Sequence, residues 1–279
     1  MITPVPDTPF EWRDTAWGTA LVCTALEPFA RHLFTTRPWA LGLTRDAGSA
    51  AWGDVASALG RPCSALVRLK QVHGHDTVCA DDVPPGTMPP ADIVIGRDPA
   101  RVLAVQAADC VPLLIADRRT GAVAAAHAGW RGLAQRVPEV TVKQVCARFG
   151  CDPADLLVAC GPSIGACCYE VGPELREAFV AAGSGGSGAD AWFSRTAAQS
   201  ASNPAMPGIR SGGRPGHWFF DAWQCVRDQL VSAGVRPADV FVARLCTASH
   251  PHLLCSYRRD GPTAGRIAGA IVPVAERSS

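Results

Sequence analysis

Three residues at the ends of apolar runs carry donor atoms that a transition metal accepts: His73 after LKQV, Cys110 after AVQAAD, and His127 after AVAAA. If those runs are strands ending at one sheet edge, a thiolate and two imidazoles meet with a fourth position left open, which is the arrangement of a catalytic zinc. Their spacings match no local zinc motif, and each residue alone equally fits a core or hydrogen-bonded position. No CxxC occurs, which disfavours a zinc ribbon or a thioredoxin-type redox site.

Turns built from small residues flank these positions. His127 runs into AGWRG, where Gly129 and Gly132 permit a tight strand-to-helix turn and Arg131 opens the helix, a natural anion site. CGPSIG at 160–165 offers backbone N–H groups and the Ser163 hydroxyl, although Gly-Pro turns commonly hold no ligand. Arg37, closing HLFTTR, and the CSYRRDGPTAGR stretch at 255–266 add guanidinium groups that also fit a solvated surface. The adjacent Cys167 and Cys168 read as packing beside Tyr169.

The elements that must position these groups are short. Residues 1–30 are rich in Pro, Thr and Trp without a period and predict an irregular arm, leaving 31–279 as a single domain. HLFTTR (32–37), ALVRLKQVH (65–73), DIVIG (92–96), VLAVQAADC (102–110), VPLLIAD (111–117) and AVAAAH (122–127) read as strands. Helices are predicted at 52–59, 131–149, 173–182 and 221–233. The Gly/Ser-rich stretch 183–216, with GSGGSG and SGGRPG, reads as a mobile surface loop. This order predicts an α+β or layered α/β fold.

Composition narrows the class. The chain has 279 residues with 26 Lys+Arg against 25 Asp+Glu, and this balance argues against nucleic-acid or polybasic membrane partners. It is 48% hydrophobic and 18% charged, as packed globular proteins are. The most apolar stretch, 102–116, is too short to span a bilayer and is interrupted by Gln106, Asp109 and Cys110. Asp7, Glu11 and Asp14 sit where a signal peptide avoids acids, so the expectation is a cytoplasmic protein whose twelve cysteines stay thiols.

Five blocks, LKQVHG (69–74), AADCVPLLIAD (107–117), AAHAGWRGLA (125–134), CGPSIGACCYEVG (160–172) and CSYRRDGPTAGR (255–266), resemble the YfiH-like family. That family was long labelled multicopper polyphenol oxidoreductase or laccase, was later recognised as zinc-containing purine nucleoside phosphorylases, and includes members similar to peptidoglycan editing factors. The resemblance implies a single layered α/β/β/α domain with mixed sheets, the YfiH-like putative cysteine hydrolase fold. It also implies zinc held by His73, Cys110 and His127. The implied activity is phosphorolysis of adenosine, inosine and methylthioadenosine, with adenosine deamination as a second reaction. With seven histidines and two His-X-His pairs, His73-Gly74-His75 and His250-Pro251-His252, the chain cannot build a multicopper cluster by itself, so bound copper is expected to be adventitious.

In this reading the metal lowers the pKa of a water toward neutrality for deamination, while phosphorolysis needs a positioned phosphate and a cation near the departing base. Arg37, Arg131, Ser163 and Arg258 are candidates to hold phosphate or purine. Gln71 is a candidate substrate contact, and Asp109 a proton carrier or an orienting acceptor. A rival takes Cys110 as nucleophile and His127 as base in a hydrolase or amidase acting on cell-wall precursors. A non-catalytic binding module is a second rival.

Overall fold

The computed structural model describes residues 3–42, 49–184 and 189–274. In chain order the strands and helices are β1 (Phe10–Thr15), β2 (Gly18–Cys23), β3 (Ala30–Thr35), α1 (Ser49–Ala58), β4 (Leu66–Val67), β5 (Thr77–Cys79) and β6 (Ile93–Gly96). There follow β7 (Val102–Ala107), β8 (Val111–Asp117), β9 (Val123–Ala128), α2 (Trp130–Ala134), α3 (Val137–Phe149), β10 (Leu156–Cys160), β11 (Glu170–Val171) and α4 (Pro173–Ala181). The last are β12 (Phe193–Ser194), β13 (Trp218–Phe220), α5 (Ala222–Ser232), β14 (Val240–Val242), α6 (Tyr257–Asp260) and β15 (Ile267–Pro273).

Two mixed six-stranded sheets form the body, ordered β1-β2-β3-β15-β7-β4 and β14-β10-β8-β9-β6-β5, beside a small sheet β11-β13-β12. Alternation along each strand explains the layers. Leu103 and Val105 of β7 face Leu114, Ala116, Val123 and Ala125 of the second sheet. Their neighbours Val102 and Ala104 pack with Trp52 and Val55 of α1. In β8, Leu113 and Ile115 instead meet Val142 of α3 and Val226 and Leu230 of α5. The order is therefore α1, sheet, sheet, helices, an α/β/β/α stack. Each fully buried Leu, Ile or Val in it contributes about 1.5–3 kcal/mol of transfer free energy.

Several expectations need correction. Over its described part, the segment 1–30 is not an irregular arm: β1 and β2 pair from Phe10↔Cys23 to Thr15↔Gly18 and extend the first sheet. The usual alternation is hidden because Ala20, Leu21, Val22 and Cys23 are all buried, as in a strand covered on both faces. The run 65–73 gives only the two-residue β4, paired with β7, and beyond it an isolated bridge from Lys70 to Pro90, a residue with no N–H to extend a ladder; Lys70 N–H donates to the Pro89 carbonyl. The helix predicted at 131–149 breaks at Arg136, whose backbone is left-handed, and restarts so that Pro138 lies in the first turn of α3, where its missing N–H costs nothing.

Nor is 183–216 a free loop over its described part. Trp192 is buried with its ring 5.7 Å from that of Phe179, and Asn203 is buried, donating to the Arg244 carbonyl and accepting from Cys246 N–H. Residues 185–188 of GSGGSG lie outside the described residues. No helix among the described residues is long and apolar enough to cross a membrane.

Candidate active site

The chain crosses from the first sheet to the second between β7 and β8, and Cys110 sits in that crossing. Asp109 has a left-handed backbone, φ 86°, and its side chain pins the turn. One carboxylate oxygen accepts from the Thr247 hydroxyl at 2.6 Å and the other from Arg258 N–H at 2.6 Å, while its carbonyl accepts from Ile164 N–H at 3.0 Å. Burial pushes the Asp109 carboxyl up from its ordinary range. His127 lies on β9 opposite Pro112, on the face that Val123 and Ala125 turn toward the other sheet.

His73 reaches the same place from a loop, not from a strand end. Its backbone is left-handed, φ 61°, and Asp92 holds it there. That buried carboxylate accepts N–H bonds from Val72, His73 and Gly74 at 3.1, 3.1 and 2.7 Å, and faces His127 Nδ1 at 2.8 Å. Burial alone would raise the Asp92 carboxyl, but His127 and the N–H groups of Gly74 and Val72 keep it below the usual carboxylate range. With Nδ1 committed to Asp92, His127 turns Nε2 toward the site.

The donor atoms of His73, Cys110 and His127 all lie within 4.8 Å of one another. The rings of His73 and His127 meet edge to face, with centroids 4.9 Å apart. Gly129 makes this convergence possible: a Cβ there would stand 2.9 Å from Cys110 Sγ and 3.0 Å from His73 Cδ2. Burial pushes the Cys110 thiol up, but the charges and hydrogen bonds of His127 and His73 outweigh it and bring it to about 6. Burial likewise opposes the His127 imidazolium, yet the Cys110 sulfur and Asp92 raise that ring to about 9. One soft and two borderline donors, with a carboxylate behind one histidine, suit zinc.

These three residues floor a cavity of about 620 Å³. Arg131, Arg258 and Arg266 supply positive charge to its walls, while Trp130, Tyr169 and Tyr257 supply aromatic faces. Arg258 stands over the Tyr169 ring at 5.1 Å and donates to the Glu170 carbonyl at 2.7 Å. Gln71 clamps Gln106 in strand fashion, donating to its carbonyl at 2.8 Å and accepting from its N–H at 2.9 Å. Gln106 Oε1 is left with no hydrogen-bond partner among the described residues.

The structure thus brings Gln71, Asp109, Arg131 and Arg258 to the cavity with His73, Cys110 and His127, but not Arg37 or Ser163. Arg37 is bound away from it, donating to Asp260 and the Pro251 carbonyl, both at 2.8 Å. Ser163 is fully buried and accepts from Trp223 Nε1 at 2.7 Å. The CGPSIG turn is a packing device: a Cβ on Gly161 would strike the Phe34 ring, and one on Gly165 the Trp223 ring. Sequence reasoning missed Asp92 and Gln106, and took Arg266 only as one of the guanidinium groups of 255–266. The one signal for Asp92 was a carboxylate opening the apolar run DIVIG.

Comparisons with known proteins place the chain in a family. The family described as multi-copper polyphenol oxidoreductase laccase matches residues 45–273. The Escherichia coli (strain K12) protein named purine nucleoside phosphorylase YfiH is 36% identical over 214 residues, 77% of this chain and 76% of its own length. A Synechocystis protein named purine nucleoside phosphorylase is 30% identical over 258 residues, 89% of this chain and 91% of its own. The match to a Bacteroides thetaiotaomicron relative of that name spans 60% of the relative's length, and to one from Xylella fastidiosa (strain Temecula1) 66%. Among solved structures, Bacillus licheniformis hypothetical protein YfiH superposes with a TM-score of 0.80 at 24% identity, covering 94% of this chain and 98% of that one. YlmD from Geobacillus stearothermophilus gives a TM-score of 0.76 at 28% identity, covering 96% and 100%.

Proposed function

The chain belongs to the YfiH-like family, and from that membership we propose that it is a zinc-dependent purine nucleoside phosphorylase, taking adenosine, inosine and methylthioadenosine with inorganic phosphate. The observation that carries this reading is the meeting of the His73, Cys110 and His127 donors with three arginines and three aromatic rings in one cavity. His73, Cys110 and His127 would hold the metal, which supplies a Lewis acid and polarises what it binds.

Phosphorolysis joins a phosphate oxygen to the anomeric carbon as the glycosidic bond breaks, with the bond pair leaving on the purine. Arg131, Arg258 and Arg266 fit the phosphate charge, and fixing the phosphate against the sugar removes much of the entropic barrier. Trp130, Tyr169 and Tyr257 offer faces on which a purine stacks. Gln106 Oε1 offers an acceptor for a substrate N–H. Asp109, with both oxygens engaged, acts by presenting Cys110. Adenosine deamination belongs to the same proposal, since the donor set is one that activates water when zinc is bound. Adventitious copper is consistent with the same imidazole and thiolate donors, while of the seven histidines only His73 and His127 share a donor cluster among the described residues.

A second reading has its own observation. Asp92, His127 and Cys110 line up as acid, base and nucleophile, with the thiol lowered to about 6 and the imidazole raised to about 9. That constellation fits a hydrolase or amidase acting on cell-wall precursors. It gives no task to His73, which the metal reading requires.

Product chromatography after incubation with adenosine, with and without phosphate and beside a Cys110→Ala variant, tests the proposal. The expected result is phosphate-dependent adenine and ribose 1-phosphate, lost with Cys110. Phosphate-independent inosine would identify deamination, and hydrolysis indifferent to chelators would favour the thiol reading.

A further inference from the structure

A second cluster of donors lies outside the cavity. Cys167 and Cys168 follow the CGPSIG turn, and Cys246 comes from the strand-like segment that bridges Ser163. Their sulfur atoms all lie within 4.8 Å of one another, with Cys167 Sγ and Cys168 Sγ 3.6 Å apart. Two thiolates sharing one tetrahedral zinc at about 2.3 Å each stand about 3.8 Å from one another. All three residues are buried, so water does not compete for them.

The cluster is set in polar surroundings: the Cys168 thiol lies 3.8 Å from the Pro204 carbonyl, and two sulfurs accept backbone N–H groups. Gly165 N–H donates to Cys246 Sγ at 3.3 Å, and Met206 N–H to Cys168 Sγ at 3.2 Å. Ser249 Oγ stands 3.5 Å from Cys167 Sγ and 3.6 Å from Cys168 Sγ. Its own proton goes to the Pro204 carbonyl at 2.6 Å, which leaves the hydroxyl lone pairs turned toward the sulfurs. Cysteines used only as small apolar filler need neither N–H donors nor an oxygen aimed between them.

We infer that Cys167, Cys168 and Cys246 form a second metal site, which takes a thiophilic closed-shell cation, Zn²⁺ or Cu⁺, with the Ser249 hydroxyl as fourth donor. Each ligating thiol gives its proton to solvent when the cation enters. The role is bracing. Cys168 adjoins Tyr169 of the cavity wall, Cys246 adjoins Thr247, which holds Asp109, and Arg258 donates to the carbonyls of Cys168 and Glu170. A cation here ties together the segments that carry one side of the cavity, whatever reaction the cavity performs.

The test uses the full chain carrying Cys110→Ala, which removes the first donor set. Under reducing conditions it is equilibrated with Zn²⁺ in one arm and in the other with Cu⁺ against a chromogenic competitor, and bound metal per chain is measured by mass spectrometry after dialysis. One equivalent is expected in at least one arm, lost on adding Cys246→Ser or Cys168→Ser with circular dichroism unchanged. Should both serine variants unfold, Co²⁺ loaded into the Cys110→Ala chain decides, because sulfur-to-cobalt charge transfer is expected there. No stoichiometric metal in either arm, binding that survives both serine changes, or cobalt without a thiolate band would overturn the inference. Failure of the first site reads differently: the unsubstituted chain and Cys110→Ala would then bind equal amounts of metal.

Discussion

Asp92 Oδ1 stands 2.8 Å from His127 Nδ1, and the same carboxylate accepts the backbone N–H of His73. One buried side chain thereby orients a donor on β9 and fixes the loop carrying a second donor. Replacing it by Asn keeps the volume but exchanges an acceptor oxygen for an amide donor that cannot serve all four partners. Asp92→Asn is expected to weaken metal binding 10–100-fold, as measured by competition with a chromogenic chelator; unchanged affinity would remove Asp92 from the site.

Gly129 is required by distance. An added Cβ would lie 2.9 Å from Cys110 Sγ and 3.0 Å from His73 Cδ2, closer than such contacts allow. Gly129→Ala is expected to displace one donor and lower kcat/KM by about 100-fold, with the melting temperature little changed. Full activity in a folded Gly129→Ala protein would show that the donors need not converge as described.

Ser163 separates a packing role from a substrate role. Its hydroxyl accepts from buried Trp223 Nε1, so Ser163→Ala leaves that N–H unpaired and is expected to cost about 1–3 kcal/mol of stability. KM for phosphate should stay at its wild-type value. A large rise in KM without loss of stability would restore Ser163 to the binding site.

His32 predicts a pH dependence of stability. It is buried between Cys23 N–H, which donates to its Nε2, and the Ala30 carbonyl. Burial lowers it to about 4. Between pH 6.5 and 4 the unfolded chain therefore takes up a proton that the folded chain refuses, so stability falls as pH drops through that window. The loss is roughly 3 kcal/mol for this group. Across the window the unfolding free energy from denaturant titrations should fall by about that much more for the wild type than for His32→Gln; parallel profiles would refute the assignment.

What the sequence carried and what it hid follow from the range of the forces involved. The meeting of His73, Cys110 and His127 was legible because each ends an apolar run, and the α/β/β/α layers followed from the family resemblance. Arg37 and Ser163 were misplaced because their partners, Asp260 and Trp223, lie far along the chain and no spacing announces them. β2 was missed because burial on both faces of Ala20–Cys23 erases the period on which strand reading depends.

The place of β15 in the first sheet sets an order of assembly. This strand, the last among the described residues, pairs with β3 on one side, from Gly269↔Phe34 to Pro273↔Ala30, and with β7 on the other, from Ile267↔Ala107 to Ile271↔Leu103. Until it arrives during synthesis, β3 and β7 are open edges, and the crossing that carries Cys110 leaves a strand without its neighbour. All three cavity donors have by then been made, yet the scaffold that holds them together is unfinished. The meeting of His73, Cys110 and His127 therefore waits on the arrival of β15.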